Sequence, residues 1–209
     1  MSRDSWPLDP DGVWREVLTT EFASGRPGLF LDRDGVIVEE VTYLHRVEDI
    51  SLMPGIADLI LAANRASVPV VVVTNQSGVG RGLYGWDDFA AVQDEIARKL
   101  AERGAFWNAV YASPFPPGDW PMRKPKPGML LAGARALALD LASSWILGDR
   151  ATDMAAGRRA GIAGGFFIGA GYDEGEVDRA LGHGDEMFTV ERIATPGAAV
   201  ARLAILSGA

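Results

Sequence analysis

The chain has 209 residues, 48% hydrophobic and 23% charged, which is enough for one well-buried core and outside the composition of disordered chains. With no cysteine it excludes disulfides, thiolate zinc sites, iron–sulfur clusters and thiol nucleophiles, so any metal must be held by oxygen or imidazole. A net charge of -8 argues against nucleic acid as a partner, and no apolar run reaches the roughly 20 residues that cross a bilayer. The opening residues, MSRDSWPLDPDG, lack the apolar stretch of a signal peptide, so a monomer in the cytoplasm acting on a small molecule is the expectation.

The first 26 residues precede the first strong strand and read as an N-terminal appendage, with a helix predicted over residues 13–22. Residues 27–209 then read as a single domain. Apolar, β-rich runs recur at residues 29–31, 68–73, 109–111, 145–147 and 165–168, and helical spacing recurs at 55–65, 86–103, 127–138, 151–160 and 196–206. Such alternation predicts an α/β fold with a mostly parallel sheet and helices on both faces. Residues 68–73 are apolar at both parities, as a central strand covered on both sides must be, and Pro69 marks its start. Within 86–103, Phe89, Val92, Ile96 and Leu100 form the inward stripe of a core-facing helix.

Polar clusters stand where the apolar strands end, which is where open α/β sheets bind ligands. The strand at 29–31 runs into Asp32-Arg33-Asp34-Gly35-Val36, and the strand at 68–73 into Thr74-Asn75-Gln76-Ser77-Gly78, followed by Arg81 and Gly82. Arg123-Lys124-Pro125-Lys126-Pro127 opens a helix, and the strand at 145–147 leads into Gly148-Asp149-Arg150-Ala151-Thr152-Asp153. Unpaired carboxylates at the edge of a core are costly, so their repetition points to use. Hydroxyl and backbone N–H groups beside Gly78 suit phosphoryl oxygens. No Gly-x-x-x-x-Gly-Lys-Ser/Thr phosphate loop occurs.

In this order, Asp32-x-Asp34-Gly35, Thr74, Lys124 and Gly148-Asp149 with Asp153 resemble the four motifs of the haloacid-dehalogenase-like phosphatases over residues 28–170. More narrowly, the strings around Asp32, Thr74 and Arg123-Lys124 resemble the D-glycero-D-manno-heptose 1,7-bisphosphate phosphatases and the similar histidinol-phosphate phosphatases. The resemblance implies a Rossmann-like sheet with little or no cap, and the 39 residues between Asp34 and Thr74 leave little room for one. It implies Asp32 as nucleophile, Asp34 as acid and then base, and Thr74 and Lys124 holding the transferring oxygens. It implies Mg²⁺ held by the Asp32 carboxylate, the Asp34 carbonyl and Asp149, with the part of Asp153 in that shell left open. Substrate contacts are implied for Arg33, Glu40, Tyr43, Asn75, Gln76, Arg81, Arg123 and Arg150, the last pair suiting a second phosphate.

Two positions depart from the resemblance. Val36 follows the Asp-x-Asp-Gly glycine where the heptose enzymes often have threonine. The loop of residues 111–120 has no cysteine or histidine where many of them bind structural zinc, so zinc is not expected and the loop's shape should differ. A heptose bisphosphate is the first substrate implied, histidinol phosphate or another small metabolite the alternative. A non-catalytic binding protein on the same fold is the competing class. His45 and His183 lie outside the motifs, although His45 is close to Tyr43.

Overall fold

The structure is a computed structural model, and it describes residues 6–19, 22–169 and 173–206. Its centre is a seven-stranded sheet of order β1-β4-β3-β2-β5-β6-β7. The strands are β1 (Trp14–Val17), β2 (Leu29–Leu31), β3 (Val70–Asn75), β4 (Ala109–Ser113), β5 (Trp145–Gly148), β6 (Gly164–Ile168) and β7 (Thr189–Ile193). All neighbours run parallel except β1, which pairs antiparallel with β4 at the edge. The helices are α1 (Ile56–Arg65), α2 (Ser77–Gly80), α3 (Trp86–Ala101), α4 (Gly128–Ala136), α5 (Ala151–Ala160) and α6 (Glu174–Leu181).

Side chains alternate across a strand, so the apolar runs of β2 and β3 feed two cores at once. Leu29, Leu31, Val70 and Val72 join one cluster with Ile56, Leu59 and Ile60 of α1 and Phe89, Val92, Ile96 and Leu100 of α3. Phe30, Val71 and Val73 join the other, with Met129 and Leu130 of α4 and Met154 and Ala156 of α5. A parallel sheet needs both faces covered, and these helices do so. In α3 the Asp88 carboxylate accepts from the Gly85 N–H at 2.8 Å, closing the first turn, while Arg98 and Lys99 lie in the last turn, where cations suit the helix dipole. Because β2 has β3 on one side and β5 on the other, the chain reverses its winding there and opens a crevice at the carboxyl ends of these strands.

Three expectations are corrected. Residues 13–22 do not form a helix: Trp14–Val17 is a strand, and Trp14, 3% exposed, lies in the core against Phe89. The apolar positions 13, 17, 18 and 22 imitate helical spacing, but backbone pairing with β4 decides the conformation; residues 20 and 21 lie outside the described residues. Residues 196–206 form two short 3-10 turns, Pro196–Ala199 and Ala204–Leu206, instead of one helix. Gly197 lies backbone to backbone against Gly55 there, with its Cα 2.6 Å from where a Gly55 Cβ would stand, a contact available only to the irregular chain. The third is an omission, since α6 and β7 were not anticipated and extend the sheet beyond β6. None of the described helices is long and apolar enough to cross a membrane.

The tryptophan that ties β1 to the core generates a prediction. Replacing Trp14 with alanine should cost about 3–5 kcal/mol, as large-to-small core changes do, read as a lower urea midpoint with little change in slope.

Candidate active site

The loops after β2, β3 and β5 and the segment between β4 and α4 enclose a cleft of about 470 Å³. Asp32 caps β2, its N–H extending the ladder to the Leu147 carbonyl at 3.0 Å. Gly35 takes φ 76°, a region open to glycine, and a Cβ there would stand 2.2 Å from Asp149 Oδ2. The bare glycine therefore lets the Asp149 carboxylate lie against the Asp32–Gly35 turn. Carboxylate oxygens of Asp32, Asp149 and Asp153 lie within 4.8 Å of one another, all three residues buried.

Lys124 offsets this negative charge. Its ammonium is 2.7 Å from Asp32 Oδ2 and 2.5 Å from Asp153 Oδ1, and donates to the Val73 carbonyl at 2.8 Å. Burial pulls the Lys124 pKa down, but Asp153 and Asp32 outweigh it and hold the amine well above its ordinary value, charged. Burial, followed by Asp153 and Asp149, pushes the Asp32 carboxyl up while Lys124 opposes them. Asn75 anchors the Lys124 backbone at both ends of its peptide unit, accepting from its N–H and donating to its carbonyl, each at 3.1 Å. Asp153 Oδ2 accepts from the Arg150 N–H at 3.0 Å, so one carboxylate both starts α5 and holds Lys124.

Among the residues marked for substrate, Arg33 is turned inward and 1% exposed. Its guanidinium clamps the Asp34 carboxylate at 3.0–3.2 Å, donates to Gln76 Oε1 at 3.0 Å and stacks over Phe89 at 5.3 Å. Glu40, Tyr43, Arg123 and Arg150 line the cleft. Arg150 comes 4.0 Å from Glu40 and 3.7 Å from Asp149, and burial followed by Asp34 raises the Glu40 pKa. Arg123 donates to the Phe115 carbonyl at 2.6 Å, and its pKa is lowered by burial and by the neighbouring charge of Arg81. Arg81 stands outside the lining and donates to the Tyr43 hydroxyl at 2.7 Å. Gln76 is 2% exposed and bonded to Asp34 and Thr74, each at 2.8 Å.

Sequence reasoning did not single out Tyr84, which reaches Gln76 Oε1 at 2.5 Å, or Glu176, which accepts from the Ala151 N–H at 2.7 Å. No local pattern marks either, because both act across loops. His45 donates from Nδ1 to the Tyr43 carbonyl at 2.7 Å and stacks on Tyr84 with centroids 5.6 Å apart. The loop after β4 is closed by the Phe115–Trp120 stack at 4.5 Å and the Lys126–Asp119 ion pair at 2.6 Å.

Residues 10–161 match the family model described as haloacid dehalogenase-like hydrolase. The chain belongs to the haloacid dehalogenase-like hydrolases. A D-glycero-beta-D-manno-heptose-1,7-bisphosphate 7-phosphatase of Mesorhizobium japonicum is 46% identical over 171 residues, 78% of this chain and 79% of the relative. A HAD-like phosphatase structure from Mesorhizobium loti superposes with TM-score 0.85 at 38% identity, covering 96% of each chain. The D,D-heptose 1,7-bisphosphate phosphatase of B. bronchiseptica, solved with magnesium and phosphate, gives TM-score 0.74 at 31% identity, covering 84% of this chain and 97% of that one. As a haloacid dehalogenase-like phosphatase, this chain is a phosphoric monoester hydrolase with its acidic and basic groups gathered at the strand ends.

The Lys124 ion pairs generate a stability prediction. Lys124→Met leaves two buried carboxylates without their cation and should destabilise the fold by about 3–5 kcal/mol in urea unfolding without added metal. Adding Asp153→Asn removes part of the stranded charge, so the double variant should be more stable than the sum of the two single losses.

Proposed function

We propose that this chain hydrolyses D-glycero-D-manno-heptose 1,7-bisphosphate at the 7-phosphate through a phospho-aspartyl intermediate on Asp32. The observation that carries the chemistry is the Asp32 carboxylate held at a strand end by the buried ammonium of Lys124, beside a second carboxylate, Asp34. The substrate rests on the heptose bisphosphate phosphatases to which the chain is similar in sequence and fold.

In the first step an Asp32 oxygen attacks phosphorus in line, the bond from phosphorus to the sugar oxygen breaks, and Asp34 gives that oxygen a proton. Lys124 and the Thr74 hydroxyl hold the phosphoryl oxygens over which charge spreads. In the second step water loses a proton to Asp34 and attacks the acyl phosphate, releasing orthophosphate and restoring Asp32. Glu40 and Tyr43 face the sugar, while Arg123 and Arg150 suit the remote phosphate with their planar, multidentate donors. Asn75 serves by fixing Lys124, and Arg81 by fixing Tyr43.

The donor set fits a hard divalent cation. All its atoms are oxygens, and the space left by Gly35 is taken by a carboxylate aimed at the Asp32 turn. Mg²⁺ would be held by the Asp32 and Asp149 carboxylates and the Asp34 carbonyl, and would supply positive charge opposite the phosphoryl oxygens. Asp153 pairs with Lys124 through Oδ1 and accepts from the Arg150 N–H through Oδ2, which supports reading this carboxylate as the holder of Lys124. The loop after β4 offers no thiolate or imidazole for zinc and is closed by aromatic stacking and Arg123 instead.

The deciding measurement is kcat/KM with Mg²⁺ for both anomers of heptose 1,7-bisphosphate, fructose 1,6-bisphosphate and histidinol phosphate. A preference of more than about tenfold for a heptose bisphosphate, abolished in Asp32→Asn, is expected. Equal turnover of all four would remove the heptose assignment, and turnover by Asp32→Asn would remove the phospho-aspartyl mechanism. Gly35→Ala, which sets a methyl group on the Asp149 carboxylate, should raise the Mg²⁺ concentration for half-maximal rate by roughly tenfold or more, read from a metal titration of the rate.

A further inference from the structure

A glutamine side chain can donate two hydrogen bonds and accept two, and the Gln76 amide makes all four. Nε2 donates to Asp34 Oδ2 and to Thr74 Oγ1, each at 2.8 Å, while Oε1 accepts from Arg33 Nη2 at 3.0 Å and from the Tyr84 hydroxyl at 2.5 Å. These partners fix which end of the amide is which. Arg33 has only donors, so the atom facing it must be the oxygen, which leaves the nitrogen facing Asp34 and Thr74. Two consequences follow for hydrogens. Tyr84 must be the donor in its own bond, and Thr74, which accepts from Gln76, keeps its hydroxyl hydrogen for a phosphoryl oxygen.

Tyr84 is itself held from several sides. A Cβ on Gly78 would fall 2.1 Å from its Cε1, so the ring lies directly on that glycine, and His45 stacks on it with the planes 11° apart. Tyr84 is 8% exposed, and burial above all pushes its pKa up to about 12, so the phenol keeps the proton it donates. The chain Tyr84–Gln76–Asp34 thus joins the turn after α2 to the Asp-x-Asp turn after β2 through hydrogen bonds of defined direction.

We infer that Tyr84 is a positioning residue for proton transfer: by fixing the Gln76 amide it aims the Asp34 carboxyl group at the leaving oxygen and then at the attacking water. This inference rests on the phospho-aspartyl reading of the site. Without the Tyr84 hydroxyl the amide keeps Arg33 alone on its oxygen, and small errors in aim are expensive in proton transfer.

Esters that differ in their need for an acid make the test. A sugar alkoxide leaves poorly without a proton, whereas 4-nitrophenolate leaves unaided, and kcat/KM reports only the steps up to the first irreversible bond cleavage. Tyr84→Phe keeps the ring in place and should lower kcat/KM on the heptose bisphosphate about tenfold, with kcat taking the loss in place of KM, while kcat/KM on 4-nitrophenyl phosphate stays within about threefold. With the aryl ester, the same variant should release a burst of 4-nitrophenolate before a slower steady rate, because hydrolysis of the acyl phosphate still needs Asp34 as base. Gln76→Leu should show the same split between esters in larger measure, and serves also if Tyr84→Phe fails to fold. An equal fall on both esters, or no fall on either, overturns the positioning role while leaving the phospho-aspartyl mechanism in place if Asp32→Asn is inactive. Turnover by Asp32→Asn would instead overturn that mechanism, and the inference with it.

Discussion

A single buried ammonium group holds the site together. Lys124 sits between Asp32 and Asp153 and reaches back to the carbonyl of Val73, so one charge links the ends of β2, β3 and β5 with the segment leading into α4. Three carboxylates crowded at the edge of a core repel one another and lose hydration, a combination that folds only if a cation is supplied with good geometry. Lysine is usually unfavourable so deep in a protein, but the two facing carboxylates keep it charged. Asn75 then fixes the backbone that carries it, which turns a flexible side chain into a rigid part of the site.

The sheet determines where this charge can stand. β2 occupies the position at which the winding reverses, so the loops after β3 and β5 part above it and leave the Asp32 turn accessible between them. Both cores press on β2 and β3, one through Leu31 and Val72 and the other through Phe30 and Val73, leaving their carboxyl ends little freedom to shift. Precision in the polar cleft is thus inherited from apolar packing beneath it.

Much of this was legible in the sequence. Strands apolar at both parities announced a covered parallel sheet, and Asp32, Asp34, Thr74, Lys124 and Asp149 stood at strand ends where a polar residue is conspicuous. Other features depend on partners far along the chain. Trp14–Val17 has apolar spacing compatible with a helix, and pairing with the edge of β4, with Leu8 bridged to Trp14 on the other side, makes it a strand. Arg33 reads as a cation available to a phosphate, yet its neighbours Asp34, Gln76 and Phe89 draw it inward. Residue type revealed that Gln76 could bond to something; which four groups it bonds to follows only from the fold. Tyr84 carried no signal, since its place is set by the bare backbone of Gly78 and by a ring from residue 45.

The antiparallel edge strand has a consequence for how the chain matures on the ribosome. β1 is made before the other described strands, but its partner strand in the sheet is β4, at Ala109–Ser113, while Leu8 bridges to Trp14 on the other side. Until that later strand emerges, Trp14 has no β4 edge to lie along, and the Phe89 ring it packs against is itself a late arrival. Vectorial synthesis therefore releases this aromatic strand with one side open and closes that side only when β4 arrives, which leaves it in need of protection from association in the interval.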